Sequence, residues 1–386
     1  MPLPKIKGAH FFKFSVKNEW LLACEPTAYL VQRQRLSREG SVWKSHRESQ
    51  VSEFLSSTDT WFRPVDITVG PQKSVLIVDM ARAVIEHPDF MPSELKTRPD
   101  QRDGTTLGRI WKVAEKSARP TIVRLQNIDD AIQWLQSESA WQRASASQFL
   151  LEKGGVALNP LGELVLDDDI SSAARSRSAW LLDKKNALTK QHAIALMKSS
   201  DARLRALGVR LSQGRPELLK DVLAMNADVD PLVARNVAAE AGAAADFLPS
   251  RVQALANIAR QWSFKDEWIR ITVASADRAL LKNLAQQIAS NKQLDLRLLQ
   301  HLVERVAIES PGDAVAFVLA AGTEGSPDSI LNHRKIELLK SWVRGVRKSR
   351  QSVPKVVAGL PEPLRVGLQS LVSRSMVTTR DSMVPA

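Results

Sequence analysis

The sequence predicts a mixed protein, β-structure first and α-structure after, with the change near residue 120. Three observations predict it. Short runs rich in branched and aromatic residues, punctuated by Pro and Gly, fill the first part. Beyond residue 120 the apolar spacing becomes helical and alanine-rich, with few Gly or Pro inside the segments. That second part also repeats itself at roughly 30-residue intervals, the signature of an α-solenoid built from helix pairs. With 386 residues, 44% hydrophobic and 25% charged, the chain has an ordinary globular composition and room for two or three domains. The predicted boundaries are a β region over 1–120, a helical array over 121–350, and a terminal helix with a frayed tail over 351–386.

In chain order, "EWLLACEP" and "YLVQRQRL" read as strands flanking a turn at Pro26-Thr27. "VDITVG" and "KSVLIVDM" read as an antiparallel hairpin across Gly70-Pro71, and "GRIWKV", Gly108 to Val113, as one more short strand. Within the hairpin, four apolar residues, Val75 to Val78, run into Asp79, and Arg82, Glu86 and His87 follow closely. An apolar run ending in ionisable groups is the pattern of a strand that delivers side chains to a site. Between this strand and "GRIWKV" lies a long polar loop with prolines at 88, 92 and 99. Loops of that length are functional or cover something.

The helical part shares one template. It recurs in "SAWQRASASQFLLE", "SSAARSRSAWLLD", "SDARLRALGVRLSQ", "VDPLVARNVAAEAG" and "KDEWIRITVASAD". A small or acidic residue comes first, an Arg follows about four positions on, and then an amphipathic run. The Arg slot falls at Arg143, Arg175, Arg205, Ala234 (with Arg235 beside it) and Arg270, at intervals of 32, 30, 29 and 36 residues. Ser139, Asp201, Asp230 and Asp266 stand where an N-cap belongs, and Pro231 at a first helical position. The arginines are expected to reach back to the preceding repeat or its cap residue, as structural partners. The alanines let neighbouring helices approach closely.

Composition excludes several classes. The single cysteine, Cys24, leaves no internal disulfide, no CxxC zinc site and no CxxCH haem attachment. It reads as buried and inert. No apolar run is long enough to span a membrane as a helix. The first residues lack a continuous apolar stretch, which predicts a cytoplasmic chain without a signal peptide. No Walker loop, GxGxxG or GxSxG appears, and the histidines show no paired metal spacing. Asp167, Asp168 and Asp169 lack the spacing of a calcium loop and read as a helix start, where acids favour the dipole.

The net charge is +12, with +5 in residues 1–120 and +7 after them. Arg334 to Arg350 holds seven basic residues and one acidic. Lys340, Arg344, Arg347 and Lys348 share one helix face there, either a solvated face or a polyanion-binding patch.

Four elements together resemble one family: "NEWLLACEPTAYLVQRQRL", "FLSSTDTWFRPVDI", "VDMARAVIEHPDFMPSELKTRPDQRDGTTLGRIWKV" and "SAWQRASASQFLLE". It is the planctomycete-type membrane-bound dehydrogenase-domain protein, itself similar to quinoprotein glucose and sorbosone dehydrogenases. The resemblance runs over roughly residues 9–300. It implies a β-propeller, a stretch of HEAT repeats and a c-type cytochrome domain, with pyrroloquinoline quinone and haem as cofactors and an extracytoplasmic setting. By resemblance, residues 1–120 correspond to the last one or two blades of the propeller and 121–350 to a solenoid of HEAT-like repeats. Where the family's hairpin turn has Gly-Pro-Asp-Gly, this chain has Gly70-Pro71-Gln72-Lys73. Where the family has a Tyr after Asp-Met, it has Ala81. These departures, with the absent CxxCH and signal peptide, predict the carboxy-terminal part of a longer ancestor with no cofactor of its own.

The resemblance places His87, Asp79, Arg82 and Arg63 near a propeller face that holds a quinone. Two readings follow: a catalytic site with a general base, or a structural lock in which Asp79 and Arg82 pair. Three functions are expected in order. The first is a non-catalytic scaffold that binds a protein partner on its solenoid surface. The second is a component of a quinone-dependent sugar or alcohol dehydrogenase, completed by a separate propeller chain. The third is nucleic-acid binding.

Overall fold

A computed structural model describes residues 11–14, 20–47, 49, 52–85, 88–116, 124–243, 248–288, 295–321 and 328–381. The fold is mixed, antiparallel sheets first and helices after. It divides into two compact units, Met1–Glu39 with Trp43–Leu188, and Gly40–Val42 with Thr189–Ala386.

In the first unit, β1 (Phe11–Phe14), β2 (Trp20–Glu25), β3 (Leu30–Glu39) and β4 (Val42–Arg47) lie in sequence order in one sheet. β5 (Leu55–Ser56) pairs with the start of β3. A second sheet runs β6 (Pro64–Val69), β7 (Val75–Asp79), β8 (Arg109–Val113), antiparallel throughout. Strand alternation puts Val75 and Ile77 on the inner face of β7. There they join Ile67 and Phe62, and Leu22, Cys24 and Val31 from the first sheet, in one core. The predicted long loop after β7 carries its own small core. Ala83, Val84 and Met91 pack there with Trp61 and with Leu95 of α1 (Ser93–Lys96).

The β6–β7 turn forms without the Asp-Gly pair. Gln72 and Lys73 both take left-handed conformations, φ 59° and 57°, and Ser74 N–H donates to Pro71 O at 3.1 Å. Two consecutive positive φ values are the requirement of a type I′ turn, for which Gly is the favoured second residue.

After β8 this unit continues with α2 (Ile128–Leu135), α3 (Ala140–Lys153), α4 (Leu158–Leu166) and α5 (Ser172–Lys184). α2 packs on α3, α4 on α5, and α3 on α5. The acidic run belongs to the turn between α4 and α5, which corrects its reading as a helix start. Asp167 is the C-cap of α4, while Ser171 caps α5 by accepting from Ala174 N–H.

The second unit contains α6 (Lys190–Met197), α7 (Ala202–Arg210), α8 (Leu219–Ala224), α9 (Pro231–Ala243), α10 (Leu248–Trp262) and α11 (Glu267–Ala274). It continues with α12 (Arg278–Ile288), α13 (Leu296–Glu309), α14 (Pro311–Ala320), α15 (Asp328–Lys348), α16 (Val353–Ala358) and α17 (Glu362–Asp381). α7, α9, α11, α13 and α15 stack in order, and α8, α10, α12 and α14 stack beside them. One continuous apolar core, from Met197 to Leu371, fills the space between the two layers. Small residues set the spacing. A Cβ on Gly345 of α15 would lie 2.7 Å from the Cβ of Ala307 on α13.

Side-chain caps fall where the template put them, at Ser139, Asp201 and Asp266, and also at Asp295 before α13. The arginine one turn in meets the expectation at Arg175, which reaches back to Val165 O at 3.1 Å at the end of α4, while Arg143 turns to Ser137 O and Glu138 O of its own entering turn. Arg205 and Arg270 differ from it: each folds over its own entering turn and reaches the following repeat. Arg205 donates to Ser199 O at 3.1 Å and Ser200 O at 3.0 Å, and grips Asp228 at 2.8 and 3.0 Å. Arg270 donates to Ser263 O at 3.3 Å and to Asp295 Oδ2 at 2.8 Å. The reason is geometric. Helical side chains point toward the helix N-terminus, so an Arg in the first turn lies over the carbonyls that enter the helix. At the slot occupied by Ala234 another arginine does related work, as Arg251 of α10 donates to Ala241 O at 2.7 Å, at the end of α9.

Arg270 and Asp295 side chains are only 6% and 5% exposed, whereas Arg203, paired with Asp201, is 61% exposed. Breaking the buried pair leaves an uncompensated charge. Arg270→Met is expected to destabilise by about 3 kcal/mol, and Arg203→Met by less than about 0.5 kcal/mol, in urea denaturation of the full chain. Lys73→Gly removes a left-handed non-glycine residue and is expected to stabilise by about 0.5–1 kcal/mol in the same measurement.

Candidate functional site

The ionisable cluster at the end of β7 is built around Asp79. The strand alternation that buries Val75 and Ile77 also turns Asp79 inward, and its side chain is 0% exposed. Oδ1 accepts the N–H of Arg63 at 2.8 Å and of Ala81 at 2.9 Å. Oδ2 accepts Arg109 Nε at 2.8 Å and Trp111 Nε1 at 2.9 Å. Four donors meet the two oxygens, and the carboxylate has no surface left for a substrate.

Arg63 turns its guanidinium to backbone carbonyls. Nε donates to Arg82 O at 3.0 Å, Nη1 to Pro26 O at 3.0 Å and Nη2 to Ala83 O at 2.6 Å. The Tyr29 ring lies under it, 4.5 Å from the guanidinium carbon. Arg63 thus fastens the chain after β7 to the turn after β2. Arg82 does not pair with Asp79; its Nη2 approaches Thr105 O at 3.4 Å. Between them Ala81 has φ 50°, stabilised by the bond from its N–H to Asp79. Gly104, at φ 89°, lies against Ala81 O where a Cβ has no room. His87 and Glu86 lie outside the described residues.

Of the four candidate residues, the structure brings Asp79 and Arg63 together, with Arg82 contributing its carbonyl. Three participants were not singled out in the sequence: Arg109, Trp111 and Asp59. Arg109 bridges the two acids, with Nη2 at 3.0 Å from Asp59, and its guanidinium lies 5.3 Å from the Trp111 ring centre. For Arg109 and Trp111 the signal is strand pairing. The β7–β8 register sets Arg109 opposite Asp79 and Trp111 opposite Ile77.

Burial by itself raises the Asp79 carboxyl pKa. The hydrogen bonds from Trp111, Arg63 N–H and Ala81 N–H and the charge of Arg109 outweigh it, so the group sits below its ordinary value. The Cys24 thiol is pushed up to about 12, by burial first and then by the charge of Asp66, and stays protonated.

These residues do not fit a bound quinone: Asp79 is saturated and Arg63 is held by carbonyls. Among the described residues no group of three His, Cys, Asp or Glu side chains is arranged to hold a metal ion. In the acidic run, Asp168 instead pairs with Arg175. No helix among them is long and apolar enough to cross a membrane.

The basic face of α15 is largely neutralised from within. Arg344 and Lys348 both bind Glu304 of α13, with Arg344 Nε at 3.0 Å, and Lys340 binds Glu337. Arg347 is exposed and has no ion-pair partner among the described residues.

Residues 6–117 match a domain of unknown function (DUF7133). The match covers the strand-rich part, and the helices follow it. No curated protein matches the chain.

Asp79→Asn turns an amide NH2 toward two donors. It is expected to cost about 3 kcal/mol in urea denaturation at pH 7. Because the folded pKa lies below the unfolded value of about 3.9, the stabilisation is present above about pH 4 and is lost as pH falls through the lowered folded value. An acid titration of stability should therefore show a steeper fall for the wild type than for Asp79→Asn.

Proposed function

We propose that the chain is a non-catalytic scaffold that binds a protein partner on a solenoid of HEAT-like repeats, with a β part descended from the last one or two blades of a propeller. The solenoid reading is supported by the two stacked helix layers of the second unit. The propeller reading is supported by a sheet whose strands follow in the order β1-β2-β3-β4, as in a blade. The observation that carries the functional reading is an apolar outer face at α11. Trp268 is 48% exposed, Ile271 36%, and Phe264 in the preceding turn 58%. Exposed aromatic side chains on a rigid helix are the residues that anchor interfaces. The sealed carboxylate of Asp79 supports the non-catalytic part of the reading.

A second reading, a component of a quinone-dependent sugar or alcohol dehydrogenase completed by another chain, is favoured by one feature. Among the described residues the sheet β6-β7-β8 has three strands, one fewer than a blade.

Affinity capture with the full chain, after crosslinking in its own cells, tests the first reading. A protein partner retained by the wild type and lost with Trp268→Ala plus Ile271→Ala is expected. Capture unchanged in that variant, or no partner at all, overturns it. Dye reduction with glucose and added pyrroloquinoline quinone on supplying the captured partner would favour the second.

A further inference from the structure

β8 is the last strand of its sheet, and its far edge pairs with no strand among the described residues. The unpaired N–H and C=O groups of such an edge are a template for another strand. β8 holds an unbroken register with β7, from Val75↔Val113 to Asp79↔Arg109, and contains no proline. Its edge is therefore straight and able to pair along its length.

The side chains on this edge say what would pair with it. The register places Leu76 and Val78 of β7 and Ile110 and Lys112 of β8 on the face away from the core. Val78 is 36% exposed and Ile110 72%. On the core side Trp111 remains 44% exposed, although its ring nitrogen is tied to Asp79. β7 is apolar on both faces, the composition of a strand covered on both sides. The charges are asymmetric. Arg109 is matched by Asp79 and Asp59, whereas Lys112 is exposed with no ion-pair partner among the described residues. A lone lysine on an edge strand resists indiscriminate pairing and favours an acidic neighbour opposite it.

We propose that β8 accepts, by strand addition, an extended segment of a partner polypeptide in which a branched apolar residue and an acidic residue alternate on one face. The apolar residue covers Ile110 and the acidic residue faces Lys112, while main-chain bonds supply the pairing. This surface is separate from the helical face considered above and stands independently of it.

The test is fluorescence anisotropy of a labelled peptide of repeated Val-Thr-Glu-Thr, titrated with the full chain. Saturable binding is expected. Lys112→Glu should weaken it about tenfold, since an opposite-charge pair becomes a like-charge pair. A Val-Thr-Lys-Thr peptide should recover binding to Lys112→Glu. Ile110→Thr should also weaken binding, and Trp268→Ala should leave it unchanged. No saturable binding, or equal affinity of wild type and Lys112→Glu, overturns the proposal. So does a concentration-dependent dimer in sedimentation velocity that Lys112→Glu disperses, because a second copy of the chain then occupies the edge.

Discussion

A buried guanidinium must find acceptors, and both units of this chain are arranged around that requirement. Arg63, Arg175, Arg251 and Arg270 are between 3% and 6% exposed. An arginine brings five N–H donors in a fixed fork and cannot shed its charge, so its burial without partners costs several kcal/mol. Each of the four turns to main-chain carbonyls. Arg63 holds Arg82 O and Ala83 O, Arg175 holds Val165 O at the end of α4, Arg251 holds the end of α9, and Arg270 holds the turn entering α11. These carbonyls include helix-end and loop groups that lack a regular partner. The arginines thereby set where helices stop and where the chain after β7 runs.

The same constraint bears on recognition. A chain with a net charge of +12 invites a polyanion reading. Yet much of its positive charge is engaged internally, on carbonyls in the interior and on carboxylates such as Glu304, Asp228 and Asp295. What remains for a partner is shape, apolar surface and the cations in excess of the carboxylates. Arg347 on α15 and Lys112 on β8 are examples. The ionisable cluster at β7 is the extreme case, since its carboxylate is fully engaged inside the fold.

Much of the architecture was legible in the sequence. The β6–β7 hairpin, β8, and the caps at Ser139, Asp201 and Asp266 follow from alternation, turn residues and cap chemistry, all of which act within a few residues. The partners of Asp79 were not legible. Arg109 lies 30 residues away across a long loop, and periodicity does not fix which residues of β7 and β8 face each other. Local pattern also misled at Asp167–Asp169, where three acids suggested a helix start and Ser171 provides the cap. The direction of the arginines depends on the stacking of successive repeats. It needs the three-dimensional position of Asp228 and Asp295, which the repeat spacing alone does not supply.

The claim that the cluster at β7 is a structural lock fastened by a buried arginine is tested most directly by native-state hydrogen exchange on Arg63→Lys. Lysine keeps the charge but loses the fork that reaches Pro26, Arg82 and Ala83 together. Faster exchange is expected in peptides covering residues 80–85 and the turn after β2, with exchange in α9 to α13 unchanged. Unaltered protection of residues 80–85 in Arg63→Lys would contradict it.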